Sequence, residues 1–211
     1  MKVGVIDYGV GNLGSVARAL EEVGATPIRV DRSVDLHQVE AMVLPGVGSF
    51  SQCKKILDQD GWSRAIRDEV HEYCKPLLGI CLGMQLLADW GEEGLENGAQ
   101  TPGLGFVPGR VVSLKKLGCA ARLPHVGWNS ISPRLENYLL KGVPKGTDFY
   151  FVHSYGFLLQ SERECVATTQ YGIEIAAVVN HGRVWGTQFH PEKSSRAGLK
   201  VLNNFVWGPE C

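Results

Sequence analysis

The sequence has no paired cysteine motif. None of its six cysteines belongs to a C-x-x-C pair; they are Cys53, Cys74, Cys81, Cys119, Cys165 and Cys211. This spacing argues against a zinc site or a thioredoxin-like motif, and it favours a reduced, cytosolic setting. In that setting we expect most of the cysteines to be small core residues.

The sequence also lacks a surplus of charge and a long apolar run. The formal net charge of -1 gives no reason to expect a nucleic acid or an anionic membrane surface as a partner. No apolar run is long enough to cross a bilayer. Residues 1–6 lack the features of a signal peptide and predict a first strand. With 44% hydrophobic residues in 211, we expect one globular domain spanning 1–211.

Strand-like and helix-like segments alternate through the first half of the chain. Strands are predicted at 2–6, 26–30, 41–44 and 77–80, and helices at 13–23, between 51 and 73, and at 82–89. This alternation predicts an open, mostly parallel sheet with helices on both faces. In the second half, strands are predicted at 107–114, 149–153, 164–169, 173–179 and 184–189, before a helix at 195–207. The α/β domain should therefore carry a partly antiparallel extension.

Cys81 lies between Gly79 and Gly83, where a predicted strand runs directly into a helix. This G-x-C-x-G segment is a cysteine version of the nucleophile elbow, whose sharp turn leaves no room for β-carbons beside the nucleophile. The turn would hold the sulfur at the carboxyl edge of the sheet, where open α/β sheets bind ligands. A helix N-terminus favours the thiolate. A buried core cysteine is the alternative, but the flanking glycines favour a nucleophile.

A candidate base and its orienting acid follow the last predicted strand. Proline at position 191 biases His190 to an extended conformation, so the side chains of His190 and Glu192 project to similar sides. One ring nitrogen can then meet the carboxylate while the other faces the sulfur. Cys81, His190 and Glu192 thus fit the roles of nucleophile, proton shuttle and orienter. The alternative makes His190 a loop residue and Glu192 a helix-start acid.

The segment Pro45-Gly46-Val47-Gly48 follows another strand and is rich in unhindered backbone N–H groups. Acyl transfer to a thiolate develops an oxyanion that needs two such donors. The amide of Leu82 and an amide from Val47 or Gly48 are the natural pair, and the sequence leaves open which of the two it is. Taken alone, this segment is equally typical of an ordinary turn.

Gly9, Gly11 and Gly14 fit the G-x-G-x-x-G pattern of dinucleotide-binding proteins, with Asp31 near the expected position of a ribose-binding acid. An oxidoreductase is therefore an alternative function. Two residues, Asp7 and Tyr8, intervene between the strand and Gly9, and this pattern leaves the cysteine and histidine motifs unexplained.

A metal-dependent hydrolase is a further alternative, but His153 and His190 are its only plausible ligand pair. A non-catalytic scaffold would require an incomplete triad.

Together these segments resemble the class I glutamine amidotransferase family, whose pattern has a PG-x-G loop, a G-x-C-x-G-x-Q segment and a closing H-P-E. The resemblance covers nearly the whole chain. It implies that Cys81 attacks the side-chain amide of glutamine and that His190 protonates the departing ammonia. It also implies that Gln85 and the backbone at Ser154 and Tyr155 hold the amino-acid end of the substrate. No cofactor or metal is implied.

Further segments resemble the family's glutaminase subunits of histidine biosynthesis, namely DYGVGNLGS, LPGVGSF, GICLGMQLL, LPHVGWN, YFVHSY and QFHPEKS. This implies a heterodimer in which ammonia passes to a (β/α)8 synthase subunit that forms imidazole glycerol phosphate and an aminoimidazole carboxamide ribotide. The residues matching the partner interface are Gly11, Asn12, His125, Trp128, Asn129 and Lys193. Trp128 could equally be a core residue. A paralogue that supplies a different synthase, such as one for surface-polysaccharide amination, is the nearest rival.

Overall fold

The computed structural model describes residues 1–94 and 100–208. The strands are β1 (Lys2–Ile6), β2 (Thr26–Val30), β3 (Ala41–Gly46), β4 (Leu77–Cys81), β5 (Trp90–Gly91), β6 (Thr101–Pro102), β7 (Gly109–Ser113), β8 (His125–Pro133), β9 (Asp148–His153), β10 (Tyr155–Leu159), β11 (Cys165–Tyr171), β12 (Ile173–His181) and β13 (Val184–Thr187). The helices are α1 (Leu13–Glu22), α2 (Phe50–Gln59), α3 (Trp62–His71), α4 (Leu82–Leu86) and α5 (Ser195–Trp207). Short 3-10 turns cover Ser33–Gln38, Tyr138–Leu140, Glu162–Glu164 and Pro191–Lys193.

The main sheet has the strand order β2-β1-β3-β4-β13-β12-β11-β8-β9. The pairs from β2 through β13 are parallel, and those from β13 onward to β9 are antiparallel. The prediction of an open α/β sheet with an antiparallel extension is therefore confirmed. A second sheet, with the order β10-β7-β5-β6, was not predicted as a separate unit.

Helices cover both faces of the parallel strands because the strand side chains alternate between two cores. Val3 and Val5 pack with residues of α1 and α5 on one face. Ile6 and Leu44 pack with residues of α2 and α3 on the other. Strands buried on both faces are typical of doubly wound α/β proteins. This arrangement leaves the carboxyl ends of β3, β4 and β13 at one edge of the sheet.

Several element boundaries differ from the predictions. β3 extends to Gly46 because it pairs with β4 as far as Gly46 and Cys81. The predicted helix at 82–89 ends at Leu86, and the helical region between 51 and 73 is divided at Gly61, which has a φ of 74°. β8 was missed because its exposed face carries the apolar residues Val126 and Trp128, which hides the alternation of a half-buried strand.

The glycine-rich turn after β1 is closed by its own acidic side chain. The carboxylate of Asp7 accepts hydrogen bonds from the backbone N–H of Gly9 at 3.0 Å and from Nε of Arg29 at 2.5 Å. A dinucleotide site offers such amides to a pyrophosphate, whereas here a carboxylate already uses one. The strand-to-helix turn is as predicted, and its chemistry does not favour the dinucleotide alternative. Among the described residues, no helix is long and apolar enough to cross a membrane.

Candidate active site

The G-x-C-x-G turn brings β4 and α4 into very close contact with β3. A β-carbon on Gly83 would lie 1.8 Å from the carbonyl oxygen of Leu44, and one on Gly79 would lie 2.6 Å from the carbonyl oxygen of Gly83. Both are steric overlaps with backbone, so neither position admits a larger residue. Between them, Cys81 has a φ of 55° and a ψ of -109°. A positive φ costs free energy for a residue with a side chain, and such strain is concentrated at functional sites.

The Cys81 side chain is held between the main-sheet extension and the last parallel strand. Its Sγ lies 3.7 Å from the carbonyl oxygen of Val152 and 3.8 Å from Nε2 of Gln188, which donates to it. The residue is 6% exposed. Cys81 is therefore nearly buried, and it lines the cavity described below.

His190 follows β13 and carries Glu192 beside it. The ring Nδ1 lies 2.7 Å from Oε1 of Glu192, and both side chains are buried. The backbone N–H of His190 donates to the carbonyl of Tyr150, and the hydroxyl of Ser194 donates to the carbonyl of His190. These bonds fix the His190 backbone on β9. Its buried ring Nε2 makes no hydrogen bond in the described part of the chain.

The pKa of His190 reflects two opposing effects. Burial lowers it, but the neighbouring Cys81 and the hydrogen-bonded Glu192 outweigh burial and raise the pKa to about 9. Nδ1 is bound to the Glu192 carboxylate, so Nε2 is the ring nitrogen left for the sulfur, and His190 and Cys81 line the same cavity. The structure thus brings together the three residues that the sequence predicts as nucleophile, base and orienter.

A cavity of about 180 Å³ opens onto the sulfur. Its walls include eight of the predicted catalytic, oxyanion and substrate residues, namely Val47, Gly48, Cys81, Leu82, Gln85, Ser154, Tyr155 and His190. Glu192 lies behind His190 and does not line it. A larger open groove of about 660 Å³ along residues 133–143 contains none of these groups. The predicted site residues therefore converge on the smaller cavity, whose volume suits an amino-acid-sized ligand.

The family model described as Glutamine amidotransferase class-I matches residues 4–208. The chain belongs to this family. The imidazole glycerol phosphate synthase subunit HisH of Moorella thermoacetica is 45% identical over 203 residues, which cover 96% of this chain and 93% of that protein. The HisH subunit of Geobacillus kaustophilus is 46% identical over 207 residues, or 97% and 95% of the two chains.

Solved structures support the class I amidotransferase fold. A crystal structure of a glutamine amidotransferase has a TM-score of 0.73 at 22% identity, covering 97% of this chain and 98% of that one. PurLQS from Thermotoga maritima also gives 0.73, at 20% identity and 97% coverage of both chains. At these identities the likeness concerns the fold alone.

The PG-x-G loop of this amidotransferase domain forms one wall of the cavity. Gly48 has a φ of 94°, a conformation that favours glycine. The carbonyl of Val47 accepts a hydrogen bond from Sγ of Cys53 at 3.4 Å, so a buried cysteine of α2 restrains this loop. Leu82, the first residue of α4, lines the same cavity next to this loop, since a β-carbon on Gly46 would lie 3.0 Å from that of Leu82.

Gln85 is buried, and both hydrogens of its amide are used within the protein. Nε2 donates to the carbonyl of Tyr155 at 3.1 Å and to Oε1 of Gln188 at 2.9 Å. Gln85 therefore fixes Tyr155 and Gln188 on opposite sides of itself. Gln188, which also contacts Cys81, was not predicted as a site residue, although it lies only two residues before His190.

Glu93 and His153 also line the cavity, and sequence reasoning did not assign either to substrate binding. Oε2 of Glu93 accepts the backbone N–H of Phe50 at 3.2 Å. Burial raises the pKa of Glu93, and the Phe50 N–H only partly opposes that effect. Glu93 lies 12 residues beyond Cys81 and belongs to no local motif, so no signal in the sequence marks it. His153 was considered only as a metal ligand.

The six residues predicted for a partner interface differ in exposure. Trp128 is 54% exposed and is therefore a surface residue and not a core residue. Asn12 and Lys193 are also exposed. Gly11 and Asn129 are half-buried. His125 is only 2% exposed, because its ring stacks between Phe151 and Tyr171, so it lies beneath this surface and does not form part of it.

Within residues 1–94 and 100–208, no three His, Cys, Asp or Glu side chains are grouped to hold a metal ion.

Proposed function

We propose that this chain is the glutaminase subunit of an imidazole glycerol phosphate synthase of histidine biosynthesis. The observation that carries the chemistry is the convergence of Cys81, His190 and Glu192 beside one small cavity. The names of relatives that are 45% and 46% identical over almost their whole length support the histidine pathway over a paralogous synthase.

In the proposed first step, the thiolate of Cys81 attacks the side-chain amide carbon of glutamine. The raised pKa of His190 favours a protonated imidazole beside Cys81 in the free site. The carbonyl oxygen becomes an oxyanion, which accepts hydrogen bonds from the amide of Leu82 and from that of Val47 or Gly48. His190 Nε2 donates its proton to the leaving nitrogen, and ammonia departs as the C–N bond breaks.

In the second step, His190, now neutral at Nε2, takes a proton from water as that water attacks the glutamyl thioester. The C–S bond breaks, glutamate leaves and the thiolate of Cys81 is restored. Glu192 holds the Nδ1 proton throughout and stabilises the imidazolium. The carboxylate of Glu93 suits the α-ammonium group of glutamine, and the Ser154–Tyr155 backbone and Gln85 line the same cavity.

We infer that ammonia passes to a (β/α)8 synthase subunit bound at the cavity edge of the sheet. Trp128, Asn12 and Lys193 are exposed, and Trp128 packs edge-on against Tyr150, whose carbonyl accepts the His190 backbone N–H. This exposed surface therefore lies close to the triad. It supports a partner that receives ammonia near the place where it is released.

Treatment with an electrophilic glutamine analogue, followed by intact mass measurement and peptide mapping, tests the chemistry. We expect a single adduct on Cys81, because the cavity selects glutamine-like molecules. Cys74 is exposed and serves as an internal control for unselective alkylation. Adduct formation on Cys74 in place of Cys81, or unchanged labelling of the Cys81→Ala variant, would contradict the proposal.

The partner is tested by assaying glutamine hydrolysis with and without the synthase partner and its nucleotide ligand. We expect a complex, stimulated glutamine turnover and transfer of ammonia to product. In the complex, Cys81→Ala should abolish glutamine-dependent synthesis while synthesis from added ammonia persists. Absence of both complex and stimulation would exclude the histidine pathway and favour a paralogous synthase.

A further inference from the structure

Two buried histidines connect the start of β8 to the wall of the cavity. His125 and His153 lie directly opposite each other in the β8–β9 pair. Nδ1 of His125 is 2.9 Å from Nε2 of His153, and Nδ1 of His153 is 2.7 Å from the carbonyl oxygen of Tyr155. At the other end, Nδ2 of Asn129 is 3.3 Å from Nε2 of His125. We refer to Asn129, His125, His153 and the Tyr155 carbonyl as the histidine relay.

The direction of the relay follows from its end groups. The Tyr155 carbonyl can only accept, so Nδ1 of His153 carries a proton. Burial lowers the pKa of His153 to about 4, so its ring is neutral at pH 7 and Nε2 must accept. The partner atom, Nδ1 of His125, is therefore a donor.

The same reasoning extends to Asn129. Burial also lowers the pKa of His125 to about 4, so Nε2 of that ring is an acceptor. The Asn129 amide is oriented by two other bonds, because its Oδ1 accepts from Ser130 N–H at 2.9 Å and its Nδ2 donates to the Gln170 carbonyl at 2.8 Å. All hydrogen bonds of the relay thus point from Asn129 towards Tyr155.

The inner end of the relay lies on the glutamine site. The Tyr155 carbonyl accepts from His153 and from Nε2 of Gln85, so two buried donors fix one peptide group. The adjacent residue, Ser154, and Tyr155 itself line the cavity. Stacking on Phe151 and Tyr171, with ring centroids 4.8 and 4.0 Å away, prevents the His125 ring from turning. The relay therefore determines where the Ser154–Tyr155 backbone lies.

We propose that His125 and His153 are positioning residues for glutamine binding, acting through the Ser154–Tyr155 backbone. The proposal rests on the glutaminase function given above. The hydrogen bonds of the Cys81 sulfur go to Val152 and Gln188 and not to either ring, so the relay affects the fit of the substrate more than the reactivity of the sulfur. Loss of the donor at His125 leaves Nε2 of His153 unpaired in a buried place. The cost of this unpaired nitrogen favours rotation of the His153 ring towards another donor, and that rotation would release the Tyr155 carbonyl.

Two substitutions at one position separate hydrogen bonding from packing. His125→Phe keeps an aromatic ring between Phe151 and Tyr171 but removes the donor. His125→Asn removes the ring, but its Nδ2 takes the place of Nδ1 and can donate to His153. We expect KM for glutamine to rise roughly tenfold in His125→Phe, with kcat within about threefold, because one buried hydrogen bond is lost. We expect KM to stay within about threefold of the unaltered protein in His125→Asn. A merely structural role for the ring predicts the opposite order.

Nitrogen-15 NMR of histidine-labelled, unaltered protein tests the relay without any activity measurement. We expect both rings to be neutral and protonated at Nδ1 at pH 7. Protonation of either ring at Nε2 would overturn the relay, and an unchanged KM in His125→Phe would overturn its positioning role. Failure of the unaltered protein to hydrolyse glutamine with its partner would instead count against the proposed function. In that case, the amide signal of Tyr155 still tests the positioning role. It should change in His125→Phe and stay unchanged in His125→Asn.

Discussion

Nδ1 of His190 and Oε1 of Glu192 are 2.7 Å apart, although a single residue separates them in the chain. Pro191 makes this possible, since His190 has extended dihedral angles and the chain then enters a 3-10 turn at Pro191–Lys193. The two side chains therefore project together into the protein interior. Both groups and their spacing are contained in one local segment, which makes the pair testable by a single substitution.

Glu192→Gln should abolish most glutamine turnover without changing the shape of the site. The amide can donate to Nδ1, which favours the tautomer whose Nε2 already carries a proton and cannot accept one from Cys81. We expect kcat to fall by about 10³–10⁴-fold, as for comparable changes in serine proteases. NMR titration should also show a His190 pKa below its value of about 9.

The exposed Glu72 at the end of α3 provides the control for Glu192→Gln. Glu72→Gln makes the same chemical change far from the cavity and should leave kcat within about twofold. If the two variants have similar kcat values, Glu192 does not orient His190.

Stability should decline towards acid pH because of the two buried histidines. The pKa values of His125 and His153 are lowered by burial from 6.5 to about 4. Between these values the unfolded chain binds more protons than the folded one, so the free energy of unfolding falls as pH drops from 6.5 towards 4. Urea unfolding at a series of pH values measures this. In His125→Phe the free energy of unfolding should fall less steeply as pH drops. An equal slope in the variant and the unaltered protein would show that burial does not lower the pKa of His125.

His190 acts in the opposite direction. Its folded pKa of about 9 lies above the unfolded value, so its contribution to stability is complete below pH 6.5 and is lost as pH rises through 9. Urea unfolding between about pH 6.5 and 9.5 should therefore show a decline that Glu192→Gln reduces. Unchanged slopes in that variant would show that Glu192 does not raise the pKa of His190.

The sequence predicts those parts of the site that lie in local motifs. Cys81 with its glycines, and His190 with Glu192, each occupy one short segment at the end of a buried strand. His153 and Glu93 carry no such signal, because their roles depend on partners brought together by the fold. His125 lies 28 residues from His153, and only the β8–β9 register makes them neighbours. β8 itself was missed because its exposed Trp128 and Val126 hide its alternation.

Gly83→Ala should be strongly destabilising. The new β-carbon would meet the Leu44 carbonyl oxygen at 1.8 Å, and two packed backbone segments would have to separate. We expect the free energy of unfolding to fall by about 3 kcal/mol, at the upper end of typical overpacking costs. Denaturant midpoints and labelling of Cys81 by a glutamine analogue measure the two consequences.

Gly14→Ala is the matched control within α1. A β-carbon there meets nothing within 4 Å, so the substitution adds helix propensity without overlap. We expect it to raise the free energy of unfolding by about 0.5–1 kcal/mol. If both alanine variants shift the midpoint by the same amount, the tight contact at Gly83 does not determine the geometry of the turn.

Trp128→Ala should weaken the complex with the synthase partner while leaving the isolated chain stable. More than half of Trp128 is exposed, and a large exposed aromatic residue beside an active site is typical of an interface hot spot. We expect the dissociation constant to rise roughly 30-fold, the equivalent of about 2 kcal/mol. Trp207 is 52% exposed and provides the comparison, because its Nε1 donates to Val23 near the start of β2, at the opposite edge of the sheet from Cys81. Trp207→Phe should leave the dissociation constant within about twofold, and equal effects of the two variants would place the partner elsewhere.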